Sequence, residues 1–218
     1  MVPIDRQAGF WDRVARDRSF THALEPERFL PLVPETGRIL DVGCGYGRIG
    51  DQLYRMGYTD VWGVDVSEKM IERGRKTFPH LRLDILPGTG LPHDSNCFDA
   101  VLLFAVLNCI PTDAGQSALV ADIFRVLRPG GIVYISDYWI QPDARNRRRY
   151  DQFKERYGMY GVFEIDGGGV VRHHTRQWTE TLLAGFQTID LYDIKVTTMN
   201  GNPALGFQYI GRKPEEER

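Results

Sequence analysis

The chain is poor in cysteine and histidine, carries little net charge and has no long apolar run. Three cysteines in 218 residues, Cys44, Cys97 and Cys109, form an odd and sparse set. They speak against a disulfide framework or a zinc site and fit reduced thiols in a cytoplasmic protein. The longest apolar run, Ala100 to Leu107, falls far short of the roughly 20 residues that a membrane-spanning helix needs, so no membrane partner is expected. The opening stretch MVPIDRQAGFWDR has no apolar signal core, so no export is expected. A formal net charge of −2 argues against a polyanionic partner such as nucleic acid. What is present is enough for a core: 42% of residues are hydrophobic and 26% charged, and the length suits one globular domain.

Apolar clusters alternate between strand-like and helix-like periods. Arg38 to Val42 is short, apolar and stopped by Gly43, after which Tyr46, Ile49, Leu53 and Met56 follow at helical spacing. Val61 to Val64 is a second strand, with Ser67 as cap of a helix carrying Met70 and Ile71. Leu81 to Leu86 is a third. Phe98 to Leu107 reads as a strand buried on both faces. A helix bearing Leu119, Ile123, Val126 and Leu127 is expected to end at Pro129-Gly130-Gly131, before a fifth strand at Ile132 to Ile135. This alternation predicts a parallel sheet covered on both faces. The polar, aromatic, glycine-broken stretch that follows is too long for a simple connection and reads as a functional insertion. One more helix at Leu182-Leu183 is expected, then extended segments at about 186–196 and 205–211, joined by the turn signal Asn200-Gly201-Asn202-Pro203.

The most informative stretch is Ile39-Leu40-Asp41-Val42-Gly43-Cys44-Gly45-Tyr46-Gly47. A strand runs into three glycines and then a helix, so bare backbone and the free N–H groups of a helix start face the usual ligand crevice of an open α/β sheet. Gly45 to Gly50 formally matches the dinucleotide fingerprint GxGxxG. Asp65, 20 residues past Gly45, could accept bonds from the ribose hydroxyls of any adenosine ligand. Asp41 separates the readings: a second carboxylate is awkward beside a pyrophosphate and suits a cationic ligand end, or an orienting role for the loop.

With these residues in view, the chain resembles the class I S-adenosylmethionine-dependent methyltransferases, in their small-molecule branch. ILDVGCGYG and GVDVS resemble that family's first two motifs. Phe98-Asp99-Ala100-Val101 and Arg125 to Gly131 resemble two later ones, in order and at the usual spacing. The resemblance is strong over roughly residues 39–137. It implies an α/β fold, a doubly wound, mostly parallel seven-stranded Rossmann-like sheet with an antiparallel last strand, and S-adenosyl-L-methionine as cofactor. It places the backbone of Gly43, Cys44, Gly45 and Gly47 under the methionine part, Asp41 near its amino group, Asp65 on the ribose, Val66 and Met70 on the adenine, and Phe104 and Ala105 near the sulfonium. Where relatives carry an acidic residue for the adenine amino group this chain has Pro87, so the backbone of Gly88 and Thr89 is expected to substitute; Asp84 would lie within the strand. The segment around Phe10, Trp11, Phe20 and Thr21 resembles a lid helix. The implied organisation is one domain: 1–37 lid helices, 38–137 cofactor-binding core, 138–176 substrate-cap insertion, 177–213 last helix and terminal strand pair.

The expected activity is in-line methyl transfer to a small-molecule acceptor. Such transfer asks for alignment and exclusion of water more than for catalytic groups. His173 and His174 are the candidate general base, a histidine being the natural one for a hydroxyl or amine. His22, His80 and His93 read as surface residues. Trp11, Asn108, Tyr138, Trp139 and His174 are the candidate acceptor contacts, with Tyr157, Tyr160 and Phe163 as further aromatic candidates. The arginines at 145 and 147–149 read as a solvated helix face or as a site for an acidic substrate. Asp99 reads as structural. Rival readings are a nicotinamide-dependent oxidoreductase, a nucleic-acid methyltransferase and a non-catalytic module that binds the cofactor.

Overall fold

In a computed structural model of the chain, residues 5–86, 88 and 90–215 are described. A seven-stranded sheet runs in the order β3-β2-β1-β4-β5-β9-β8. Its strands are β1 (Ile39–Val42), β2 (Val61–Asp65), β3 (Arg82–Ile85), β4 (Phe98–Phe104), β5 (Leu127–Tyr138), β8 (Gln187–Thr197) and β9 (Pro203–Arg212). Neighbours among β3, β2, β1, β4 and β5 pair in parallel; β9 runs antiparallel to both β5 and β8, which is the doubly wound sheet with a reversed last strand that the resemblance implied. The helices are α1 (Ala8–Val14), α2 (Pro26–Phe29), α3 (Arg48–Arg55), α4 (Glu68–Thr77), α5 (Asp113–Val126), α6 (Ala144–Tyr157) and α7 (Arg176–Leu182). A small hairpin of β6 (Val162–Ile165) and β7 (Gly169–Arg172) stands apart from the main sheet. Among the described residues no helix is long and apolar enough to cross a membrane.

Because side chains alternate along a strand, the sheet has two apolar faces. Leu40, Val42, Val101, Leu103, Val133 and Ile135 pack under α5 through Val120, Ile123 and Val126. Ile39, Ala100, Leu102, Ile132 and Tyr134 pack on the other face under Ile49 and Leu53 of α3 and under Leu24, Phe29 and Val33. Each fully buried aliphatic chain contributes about 1.5–3 kcal/mol. Asp41 continues the second face at the carboxyl end of β1, two residues beyond Ile39, and so is carried into the interior by the strand's own period.

Three boundaries differ from the sequence reading. α5 ends at Val126, and Pro129-Gly130-Gly131 lie inside β5. The sheet tolerates them because the β4–β5 register shifts between Phe98 and Ala100, and the Gly130 N–H finds the Lys213 carbonyl at 2.9 Å. β4 stops at Phe104, since Ala105 has a left-handed φ of 58° and Leu107–Cys109 forms a 3-10 turn. The apolar run thus serves two elements. The segment after β5 is also more regular than a glycine-broken loop: it folds into α6, capped by Asp143, and the β6–β7 hairpin.

Candidate functional site

The three glycines after β1 have φ values of 66°, 56° and 89° at Gly43, Gly45 and Gly47, a region costly for any residue with a Cβ. The N–H groups of Gly43 and Cys44 donate to the Val64 carbonyl at 2.8 and 3.1 Å. Asp65 then locks the turn: its Oδ2 accepts from the Gly45 N–H and its Oδ1 from the Ser67 N–H, both at 2.8 Å. Ser67 in turn caps α4, its Oγ accepting from the Met70 N–H. Burial raises Asp65 to about 6, against the pull of those two N–H groups. Asp41, 2% exposed, is raised to about 7 by burial, opposed by Arg48 and reinforced by Asp65. Its Oδ2 has no hydrogen-bond partner.

These groups form the floor of a cavity of about 690 Å³, within the range for small-molecule sites. Asp41, Gly43, Cys44, Asp65, Phe104 and Ala105 line it from the strand ends. Val66, Met70, Leu86, Gly88, Leu91 and Leu119 also line it, as do Arg6, Gln7, Trp11, Phe20, Cys109 and Ile110.

The N-terminal segment is held against the cavity by named contacts. Asp12 accepts from the Ser67 hydroxyl at 2.7 Å and the Lys69 N–H at 3.1 Å, tying α1 to the start of α4. Asp5 accepts from the Thr112 N–H and hydroxyl. The Phe20 ring stacks on Tyr46 at 5.8 Å and covers Gly45 so closely that a Cβ there would lie 2.6 Å from it. The Gln7 side-chain amide donates to the carbonyls of Cys109 (2.8 Å) and Val170 (2.6 Å) and accepts from the Val170 N–H at 2.7 Å. It therefore bridges the N-terminal segment, the turn after β4 and the β6–β7 hairpin.

Of the sequence-nominated cofactor residues, Asp41, Gly43, Cys44, Asp65, Val66, Met70, Gly88, Phe104 and Ala105 line the cavity. Gly45 and Gly47 shape the turn from behind, without lining it, and Thr89 lies outside the described residues, as does Pro87. Trp11 lines the cavity, but the other acceptor candidates do not. Asn108 is buried, its N–H donating to Asp137; Tyr138 packs against His22 and His173; Trp139 stacks on Phe207 at 4.1 Å. The 138–176 segment supplies none of the described lining residues and instead packs behind the N-terminal segment, through Gln7 and Arg13.

The histidine assignment needs correcting. His173 and His174 are 7% and 1% exposed. The Nδ1 of His173 meets the Tyr150 hydroxyl at 2.6 Å. The Nε2 of His174 meets the Gln116 amide at 2.9 Å, and its Nδ1 faces the Tyr138 carbonyl at 3.2 Å. Burial lowers both to about 3, so they are neutral packing groups set away from the cavity. Conversely, His22 is not on the surface. It is 2% exposed, with Nδ1 on the Ser136 hydroxyl at 2.7 Å, and burial together with Arg48 lowers it to about 4. His93 is half-buried and His80 exposed. Arg145, Arg147 and Arg148 lie on the exposed side of α6, while Arg149 covers the Phe163 ring. Asp99 accepts from the Arg38 N–H at 2.7 Å, a structural bond.

Sequence reasoning passed over Arg48, Gln7, Asp5 and Asp12. The first sits inside the glycine motif, where its charge was a signal; the others became meaningful only once the lid was folded over the strand ends.

A family model described as a methyltransferase domain matches residues 39–131. A ubiquinone/menaquinone biosynthesis C-methyltransferase from Desulfotalea psychrophila is 33% identical over 173 residues, 73% of this chain and 68% of that protein. An eEF1A lysine and N-terminal methyltransferase from Xenopus laevis is 33% identical over 104 residues, but those cover 43% of this chain and only 15% of that much longer protein. The fold matches the crystal structure of a SAM-dependent methyltransferase from Methanosarcina mazei with a TM-score of 0.83 at 24% identity, over 89% of this chain and 100% of that one.

Proposed function

The chain belongs to the class I S-adenosylmethionine-dependent methyltransferases, and from that membership we propose that it transfers the methyl group of S-adenosylmethionine to a small-molecule acceptor. The observation that carries the reading is the pairing of two buried carboxylates at the strand ends on one cavity floor.

The residues present fit the cofactor. Asp65 spends one lone pair of each oxygen on a backbone N–H. A carboxylate offers about four acceptor sites, which leaves two for the hydroxyls of a ribose. Asp41 lines the cavity with a carboxylate whose buried Oδ2 has no hydrogen-bond partner, and an ammonium is the natural partner for such a carboxylate. Val66, Met70 and Leu86 give an apolar seat for an adenine, beside the bare backbone of Gly88.

When bound, the cofactor supplies an electrophilic methyl on a sulfonium. The chain's part is positioning. Phe104 and Ala105 stand at the end of β4, where the acceptor would meet the methyl. Trp11, Phe20 and Ile110 close the cavity against water, which favours a transfer that neutralises charge. None of the described lining residues is a histidine, so the reading assigns alignment to the protein and the nucleophile to the acceptor. The cap is the N-terminal segment, backed by the 138–176 insertion, within a single domain. The three free cysteines support a reducing, cytoplasmic location.

A small acceptor is supported by the largely apolar cavity and by the quinone-biosynthetic role in the Desulfotalea relative's name. The nucleic-acid alternative is not favoured, because the net charge is −2 and the exposed arginines of α6 stand on a helix that contributes nothing to the described cavity wall. Calorimetry with S-adenosylhomocysteine and with NAD, followed by an acceptor screen for S-adenosylhomocysteine release, tests the reading. Binding of NAD in preference to S-adenosylhomocysteine would overturn it, and binding without turnover on any acceptor would favour a non-catalytic module.

A further inference from the structure

Among the described residues that line the cavity, two carry a fixed positive charge, Arg6 and Arg48. Arg48 is engaged, donating to the His22 carbonyl. Arg6 makes no hydrogen bond, ion pair or ring contact with any described residue, and it is exposed where the cavity meets solvent. It is free without being loose. On one side of it Asp5 accepts from the Thr112 N–H at 3.1 Å and hydroxyl at 2.6 Å. On the other, Gln7 donates to the Cys109 carbonyl at 2.8 Å. Consecutive Cα atoms stand about 3.8 Å apart, so Arg6 is held alongside the stretch from Cys109 to Thr112, which carries Ile110 into the cavity. The lining carboxylates away from the glycine turn are mostly spoken for. Asp5 is held as above, Asp12 accepts from Ser67 and Lys69, and Asp122 accepts from Arg125 at 2.7 Å. Glu68 opens α4, between Val66 and Met70 of the adenine seat.

The cofactor reading uses Asp41, Asp65, Val66 and Met70. It leaves Ile110, Ala118 and Leu119 as apolar lining without an assigned partner, and Arg6 as a cation beside them. Apolar lining asks for an apolar body. A guanidinium with all five donors unspent asks for an oxyanion, whose geometry its fork matches. One molecule satisfies both demands if it carries an acidic group at the end of an apolar frame. Resting on the methyl-transfer reading, which names no acceptor class, we propose that the acceptor is an amphipathic anion, with Arg6 as the residue that binds its acidic group.

The test uses a charged and an uncharged probe of one shape on protein saturated with S-adenosylhomocysteine. The sulfonate 8-anilinonaphthalene-1-sulfonate is the anionic probe, and N-phenyl-1-naphthylamine is the same ring system without the charge. In Arg6→Gln, fluorescence titration should show affinity for the sulfonate falling at least about fivefold, the upper end for an exposed ion pair, with the uncharged probe changed less than about twofold. Salt should weaken sulfonate binding to the wild type and leave the uncharged probe alone. Arg6→Lys keeps the charge and should retain part of the affinity. Arg147→Gln removes an exposed arginine of α6, outside the described lining, and should change neither probe. In an acceptor screen run as pairs of a hydroxyaryl acid and its primary amide, the acids should be preferred, and Arg6→Gln should remove that preference through KM with kcat changed less than about twofold. Equal losses for both probes, no loss for the sulfonate, an equal loss in Arg147→Gln, or a wild-type preference for the amides would overturn the assignment. A wild-type protein that fails to bind S-adenosylhomocysteine would instead sink the cofactor reading, and this assignment with it.

Discussion

Replacing Asp65 by Asn probes the most heavily used side chain of the site. The carboxylate accepts two backbone N–H groups, from Gly45 and Ser67, one on each oxygen and each at 2.8 Å. An amide of the same shape has one acceptor oxygen, so one of these buried donors is left facing an NH₂ group. That costs about 1–3 kcal/mol of folding stability, and at roughly 2–4 °C per kcal/mol for a domain of this size the melting temperature should drop by several degrees. Binding suffers separately. Hydrogen bonds to a charged group contribute about 1.5–3 kcal/mol, so affinity for S-adenosylhomocysteine should fall by about 10- to 150-fold at neutral pH. The pH dependence gives a second signature. Burial raises the Asp65 carboxyl to about 6 in the protein without ligand. Hydroxyl donors prefer the ionised form, so wild-type affinity should weaken as pH falls through about 7, where Asp41 takes up a proton, and further through about 6, and the Asn variant should keep the first limb and lack the second. Isothermal calorimetry from pH 5 to 8, with circular dichroism to establish folding, reads both effects. A folded Asp65→Asn protein that binds within twofold of wild type would refute the role given to this carboxylate.

Other outcomes follow from the same geometry. Gly45→Ala places a methyl 2.6 Å from the Phe20 ring at a φ of 56°; it should destabilise the protein by about 1–3 kcal/mol and speed hydrogen exchange in the lid. Gln7→Ala removes three hydrogen bonds that join lid, turn and hairpin; proteolysis within the first 20 residues should accelerate, with a loss of about 1–3 kcal/mol in denaturant melts. His174→Ala should cost a similar amount of stability through the loss of its buried contacts and leave S-adenosylhomocysteine affinity within twofold, whereas a role in binding would show as a larger loss. Asp137 is raised to about 7 by burial, so the folded state holds that proton to higher pH than the unfolded chain does. Its contribution to stability therefore declines as pH rises from about 4 to 7, and Asp137→Asn should flatten that part of a stability–pH curve.

What could be read before folding was local. The strand, the glycine turn, Asp65 and the Ser67 cap lie within thirty residues of one another and are related by the geometry of a single βαβ unit, so spacing alone placed them. The histidines were misread because their surroundings are supplied from far along the chain. His22 is buried by Ser136 and Tyr138 of β5, and His174 by Gln116 of α5, and no short-range pattern distinguishes such a residue from an exposed one. The acceptor candidates stand outside the cavity lining for a related reason: Tyr138 ends β5 and Trp139 follows it, and both turn into packing against Phe207, His22 and His173. Pro129-Gly130-Gly131 looked like a stop because their usual effect is to end helices, whereas here a register shift lets a strand absorb them.

The Gln7 bridge ties the small hairpin to the chamber without giving it any wall there. A substitution at Val170, or a change of turn at Gly167 and Gly168, would tilt the strap that carries Trp11 and, through Cys109, the rim of the opening. The opening can therefore be reached from the outside, through a pair of short strands that supply none of its described lining.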